Sequence, residues 1–242
     1  SSRGIGRVVA MHLASLGAKT AIHGTSKHST RSFNEADSID QVAEEIAGST
    51  GSDVMAVTGD LTDPNAVDTA VAEITDRFGR IDFLVNCAGG DIGARGIQGS
   101  DAGKPVDNNP VDIPVDDLKT VMDRNFLTCV LCCRAVAPAM RDSRSGAIVN
   151  VGSIAGLVGL ASSSIYGSAK AAVHEYTRCL ATYMREFGVR VNAVAPGEIV
   201  TPRFVASRVV DENRMTTEWA LTRYGTPMEI ARVIEMLITE QG

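Results

Sequence analysis

The feature that most constrains this chain is a strict alternation of two kinds of apolar segment. Short β-branched runs lie at 20–22, 54–57, 81–85, Ala147–Val151 and 189–194, and longer stretches of helical period separate them. Such alternation implies a doubly wound α/β architecture: a parallel sheet with helices on both faces. Helices are expected at 5–16, stopped by Gly17, and at 39–46, stopped by Gly48. A third, over 64–78, has Asp63 as its cap, Pro64 at the first helical position and Gly79 as its stop. Longer helices are expected at 116–140 and 164–187, and a last one at 227–239. No internal repeat or composition break divides the chain, so 1–242 reads as a single domain.

Three long loops follow strand ends: 25–38, 89–114 and 196–219. In open α/β sheets that edge is where ligands bind. The chain begins inside a glycine turn with no strand feeding it, and no strand follows the last helix. The expectation is therefore a piece of a longer polypeptide whose first and last strands are not in this sequence. The net charge of −6 disfavours nucleic acid and anionic membrane surfaces. No apolar run approaches the roughly 20 residues of a membrane span, and no leader opens the chain, so the expected location is the cytoplasm. The five cysteines show no paired framework, which fits free thiols in a reducing compartment. Cys129, Cys132 and Cys133 share a helix face but lack a fourth ligand of matching spacing, so no metal site is expected.

Two residue patterns carry chemistry. Gly4-Ile5-Gly6 opens an apolar helix, where a backbone free of side chains can approach a pyrophosphate at the helix N-terminus. Tyr166 and Lys170 stand four residues apart on one helix face. An ammonium held near a phenol favours phenolate and should lower its pKa, so that the phenol can exchange a proton with a hydroxyl or carbonyl oxygen. Ser153, just after the run Ala147–Val151, has a hydroxyl suited to holding the same oxygen.

With these residues in place, the chain resembles the compact form of the short-chain dehydrogenase/reductase family. The latter part of the family's glycine loop matches Ser1 to Gly6, and its Asn-Asn-Ala-Gly turn matches Asn86-Cys87-Ala88-Gly89 with Cys87 as a departure. Asp60-Leu61 matches the acidic adenine contact, and Asn125 the helix asparagine of the catalytic tetrad. Ser153, Tyr166 and Lys170 match the rest of the tetrad; Pro196-Gly197 with Thr201, and Gly225-Thr226-Pro227, match later turns. The resemblance implies a ketone/secondary-alcohol oxidoreductase using a nicotinamide dinucleotide, similar to 3-oxoacyl-thioester reductases. It implies Tyr166 as acid and base, Lys170 on the nicotinamide ribose, Ser153 on the substrate oxygen and Asn125 anchoring a water. The implied cofactor contacts are Ser2, Arg3, Gly4, Ile5, Gly6, Thr25, Asp60, Leu61, Asn86, Ala88, Gly89, Tyr166, Lys170, Pro196, Gly197 and Thr201.

The run 20–22 is followed by His23-Gly24-Thr25-Ser26, without the acid that NAD-preferring members place there, so NADP(H) is expected over NAD(H). Arg3, Lys27, His28 and Arg31 are the cations available to a 2′-phosphate. The 89–114 loop reads as an insertion beside the nicotinamide end. Helices 116–140 and 164–187 are too apolar for one buried face, which points to a homo-oligomer, a tetramer in the family's manner. Alternatives from other classes are an inactive nucleotide-binding regulator of the same fold, a nucleotide-sugar epimerase or dehydratase, and a thiol-redox protein using Cys129 and Cys132. The intact tetrad, the short chain after Gly197 and the mid-helix position of the cysteines count against each in turn.

Overall fold

The computed structural model describes residues 1–216, 218 and 220–239, with Ser100 as backbone only. Trp219, the expected end of the third loop, lies outside the described residues. In chain order come α1 (Gly4–Ser15), β1 (Thr20–Gly24), α2 (Ile39–Thr50), β2 (Val54–Thr58), α3 (Pro64–Phe78) and β3 (Phe83–Asn86). There follow α4 (Ser100–Gly103), α5 (Val115–Met122), a π turn (Asp123–Leu127), α6 (Thr128–Ser143) and β4 (Ala147–Val151). The remainder is α7 (Ser164–Met184), β5 (Arg190–Val194), α8 (Pro202–Ala206) and α9 (Pro227–Ile238).

All pairings are parallel, in two sheets: β1 with β2, and β3-β4-β5 with β4 in the centre. Period-2 alternation in β4 sorts the cores. Ile148 faces Cys133, Val136 and Met140 of α6 with Val173 of α7, whereas Ala147, Val149 and Val151 face Val9 of α1 with Ala231 and Ile234 of α9. Helix α1 also turns Ala10 and Ala14 into a third core with Ile22 and the Ile39, Val42 and Ile46 face of α2. It is thus the element shared by both sheets, and it carries the glycine turn at its N-terminus.

Local signals account for most boundaries. Asp63 caps α3 by accepting from Asn65 N, with Pro64 behind it and Gly79 at φ +84° ending it. Helix α2 departs from the expected stop at Gly48: it runs to Thr50 and ends at Gly51, φ +72°. Burial of Ile46 outweighs the roughly 1 kcal/mol cost of a glycine inside a helix. The strand expected at 81–85 starts only at Phe83, with Ile81 packed on the α6–α7 core instead. The helix expected at 116–140 starts at Val115, is interrupted after Met122 by the π turn and continues to Ser143, with Pro138 tolerated inside it.

Candidate active site

The carboxyl ends of β3, β4 and β5 bring the expected tetrad together. Lys170 is 4% exposed, and its Nζ donates to the Val151 carbonyl at 2.8 Å and lies 5.8 Å from the Tyr166 ring centroid. Burial lowers its pKa to about 8, against which Cys129 and Cys87 act weakly upward. Tyr166 is partly buried, and burial moves its phenol upward; a hydrogen bond to Ser153, then the Arg203 guanidinium, pull the other way. This corrects the expectation of a phenol lowered by Lys170. The ammonium is committed to Val151, and loss of water dominates at the phenol.

Asn125 explains the π turn. Its side chain is 1% exposed, and its Nδ2 donates to Val121 O at 2.8 Å and Gly90 O at 2.9 Å. Its Oδ1 accepts from Gly90 N at 2.8 Å, so the N–H and the C=O of one residue are both held. Interrupted helices of this kind recur at functional sites. Gly89, at φ +149°, admits no side chain: a Cβ there would lie 2.6 Å from Asn125 Oδ1 and 3.2 Å from Lys170 Nζ. Bare backbone at 89 is thus what lets Asn125 and Lys170 meet at this turn.

A residue missed in the sequence sits behind Ser153. His174, one helical turn beyond Lys170 and 7% exposed, accepts from Ser153 N through Nε2 at 3.3 Å. Burial and then the Lys170 ammonium lower its pKa, which keeps Nε2 available as acceptor. The approach requires glycine at 152, where a Cβ would lie 2.0 Å from His174 Nε2. The i, i+4 spacing from Lys170 was the available signal.

On the nucleotide side, Ser2, Arg3, Gly4, Ile5 and Gly6 form the turn into α1, and Thr201, cap of α8, lies 3.6 Å from the Cβ position of Gly4. Pro196, before Gly197, is held elsewhere, its carbonyl accepting from Ile154 N at 3.0 Å. Asp60 Oδ1 accepts from Thr62 N and Oγ1, which lowers its pKa, and Arg124 and His23 add to this; Leu61 follows in the same turn. Ala88 precedes Gly89 in its turn. Asn86, in contrast, turns its side chain into the sheet: Nδ2 donates to Asn150 Oδ1 at 2.9 Å and Cys133 Sγ at 3.3 Å, leaving only its backbone for a cofactor.

The basic residues expected near a 2′-phosphate separate into two groups. Lys27 pairs with Asp40 at 3.0 Å, while His28 and Arg31 bind the Asp37 carbonyl at 3.1 and 2.9 Å, so these three cap the start of α2. Arg3 remains at the glycine turn, its guanidinium 5.6 Å from the Phe33 ring centroid and its Nη1 buried without a partner among the described residues. Ser29 Oγ and Thr30 Oγ1 are likewise buried and unpartnered. A Cβ at Gly24 would lie 2.7 Å from Ser29 Oγ and 3.2 Å from Ser2 Oγ, so Gly24 keeps a pocket of hydroxyls open. An acid absent from the end of β1 arrives from the 25–38 loop: Glu35 Oε2 accepts from Gly4 N at 2.8 Å, and Arg7 holds the Glu35 carbonyl at 2.6 Å. Exposed Thr25 stands at the loop's start.

The 89–114 insertion folds back onto the site. Asn108 O accepts from Ser163 N at 2.8 Å, at the start of α7, and Lys104 Nζ donates to Ser207 O at 3.0 Å, just after α8. Among the described residues no group of three or more His, Cys, Asp or Glu is placed to hold a metal ion, and all five cysteines are free.

A family model described as short chain dehydrogenase matches residues 1–209. A cyclohexanol dehydrogenase of Rhodococcus sp. (strain TK6) is 36% identical over 246 residues, covering 99% of this chain and 87% of that protein. The solved structure titled ElxO with NADP bound superposes with a TM-score of 0.80 at 25% identity, over 99% of this chain and 89% of that one. A 3-oxoacyl-[acyl-carrier protein] reductase from Brucella melitensis with bound NAD gives 0.79 at 28% identity, over 99% and 82%. The chain belongs to the short-chain dehydrogenase/reductase family and is an oxidoreductase acting on the CH–OH/C=O pair.

Proposed function

We propose that this protein interconverts a ketone and a secondary alcohol by hydride transfer with a nicotinamide dinucleotide, with Tyr166 as general acid and base. The observation that carries this is a continuous set of contacts: Ser153 with Tyr166, Tyr166 with Lys170, and Lys170 and Asn125 together at Gly89. The nicotinamide, when bound, supplies or accepts the hydride. In reduction Tyr166 gives its phenolic proton to the carbonyl oxygen as the carbon gains hydride; in oxidation it takes the hydroxyl proton. A phenol carries its proton at neutral pH, which is the state that the reduction step starts from. Ser153 steadies the reacting oxygen, and His174 fixes the Ser153 backbone. Lys170 would hold the nicotinamide ribose, and Asn125 would anchor a water that links Lys170 to solvent. A 3-oxoacyl thioester is one substrate of this kind, and the name of the Brucella neighbour supports it.

The preferred cofactor in this reading is NADP(H). Support comes from Arg3 and from the unpartnered hydroxyl of Ser29 beside Gly24, which offer donors to a 2′-phosphate. Glu35 acts against it, as an internal anion on Gly4 N. The deciding experiment is a panel of ketones and alcohols with NADPH and NADH, followed by absorbance. Turnover with NADPH at the higher kcat/KM is expected; no turnover of any carbonyl with either cofactor sinks the reading.

The same reading makes the protein a cytoplasmic homo-oligomer, a tetramer, built on one dinucleotide-binding domain. Among the described residues no helix is long and apolar enough to cross a membrane. Beyond the residues that cover the sheet, Leu127, Val130 and Leu131 of the π turn and α6 remain partly exposed, and Tyr183 of α7 is 53% exposed. Pairing of these helices between subunits would cover them. Light scattering at micromolar concentration should give a multimer mass, which Ala172→Arg reduces.

A further inference from the structure

Beside Tyr166 lies a polar cluster that the hydride chemistry does not use. Asp91 follows the Gly89–Gly90 turn and is 6% exposed. One of its oxygens accepts from Asn108 Nδ2 at 2.8 Å, and its carbonyl accepts from Arg203 Nη2 at 2.6 Å. Three buried atoms of this cluster have no hydrogen-bonding partner among the described residues: Asp91 Oδ1, Asn108 Oδ1 and Arg203 Nε. The cluster is anchored to the catalytic helix, because Asn108 O accepts from Ser163 N, three residues before Tyr166. Both Arg203 and Asp91 act electrostatically on the Tyr166 phenol. Two acceptors and one donor, contributed by Asp91 and Asn108 of the 89–114 segment and Arg203 of α8, are therefore held beside the Gly89–Gly90 turn and the start of the catalytic helix.

The chemistry of that set is selective. A monohydric alcohol commits its oxygen to Tyr166 and Ser153 and has nothing for the cluster. An acyl chain presents only apolar atoms there, and an anionic group meets the Asp91 carboxylate. A hydroxyl donates and accepts at once, so it alone among these satisfies Asp91 or Asn108 together with Arg203. We propose that the physiological substrate is polyhydroxylated, carrying a second hydroxyl beside the reacting one that donates to Asp91 or Asn108 and accepts from Arg203. This rests on the assignment of the reacting oxygen to Tyr166 and Ser153. It separates the protein from its cyclohexanol-named relative by substrate class, since sites built to bond a hydroxyl reject analogues that lack it by large factors.

The test compares cyclohexanol with trans-1,2-cyclohexanediol. Binding is measured by calorimetry on the Tyr166→Phe protein, with and without saturating oxidised cofactor, so that no turnover intrudes. The diol should bind at least about tenfold more tightly, and Asp91→Asn or Asn108→Ala in the same background should reduce that ratio to about threefold or less. Equal binding, undetectable binding of the diol, or a ratio untouched by both substitutions overturns the proposal. Turnover by the unmodified protein is the separate readout. A diol preference in binding with no oxidation of any alcohol leaves the substrate class standing and removes the hydride-transfer reading. Oxidation of both alcohols at equal kcat/KM does the reverse.

Discussion

The two halves of the cleft are built differently. Around Tyr166 the other members of the tetrad are each bonded to neighbouring protein groups: Lys170 to Val151, Asn125 to Gly90, Ser153 to His174 and Ala155. In the glycine turn and the 25–38 loop the hydroxyls of Ser29 and Thr30 and one nitrogen of Arg3 have no partner among the described residues, and an internal carboxylate sits on Gly4 N. The chemical half is preorganised, which is what transition-state stabilisation requires. The nucleotide half is arranged to exchange internal contacts for those of a ligand. Substitutions in the first should therefore change rate steeply, and substitutions in the second should change affinity modestly.

The strongest break would come at Tyr166. Tyr166→Phe should reduce kcat by about a hundredfold to ten-thousandfold while the cofactor dissociation constant stays within about twofold; near-normal turnover would remove Tyr166 from the chemistry. Lys170→Met should lower turnover by about a hundredfold or more and also weaken cofactor binding about tenfold, the scale of one charge-assisted hydrogen bond. Untouched cofactor affinity would cancel its ribose role. The same variant tests the buried ammonium. Lys170 has a folded pKa of about 8, below the 10.5 of an ordinary lysine, so the unfolded chain binds more protons between those values. The wild type should accordingly gain stability relative to Lys170→Met as pH rises from 8 to 10.5, each unit of separation being worth about 1.4 kcal/mol. Melting curves across that range that run parallel for the two proteins would contradict the burial cost.

Smaller effects belong to the nucleotide half. Gly24→Asp should shift preference towards NADH by about tenfold, as its side chain fills the space before Ser29 and Ser2 and repels a 2′-phosphate. Glu35→Gln should tighten NADPH by about fivefold, close to 1 kcal/mol, by removing a competing anion at Gly4. Fluorescence titration measures both; an NADPH affinity that falls in Glu35→Gln would mean that the carboxylate assists cofactor binding.

The same division decided what could be read from the sequence. Helix α3 was legible to the residue because Asp63, Pro64 and Gly79 act within one turn of its ends. Tyr166 and Lys170 were legible because helical periodicity alone puts them on one face. Gly48 misled because a glycine stop is also a tolerable interior residue once Ile46 is buried. The π turn left no local signature: its cause is the long-range pairing of Asn125 with Gly90, 35 residues away. Glu35, Asp91, Asn108 and Arg203 escaped for the same reason, since each reaches the cleft from a loop or a single helical turn whose path is set by tertiary contacts. The four cations expected at the phosphate reduced to Arg3 because Asp37 and Asp40, ordinary acids in the sequence, engage the other three.

The π turn has a further consequence, which concerns chain length. One added residue in a helix of 3.6 residues per turn advances the phase by about 100°. Val121 before the turn and Cys129, Cys133, Val136 and Met140 after it are all buried, so the core-facing stripe is continuous only because the extra residue is absorbed at Asp123–Leu127. Deleting any one residue of that segment would regularise the helix and force a choice of phase. Either α6 keeps its stripe on β4 and the Asn125 amide swings off Gly90, or the amide stays and the cysteine face rotates out of the core. A helix made locally more ideal would thus make the protein globally inconsistent, and the irregularity is what lets one rod serve the sheet and the site together.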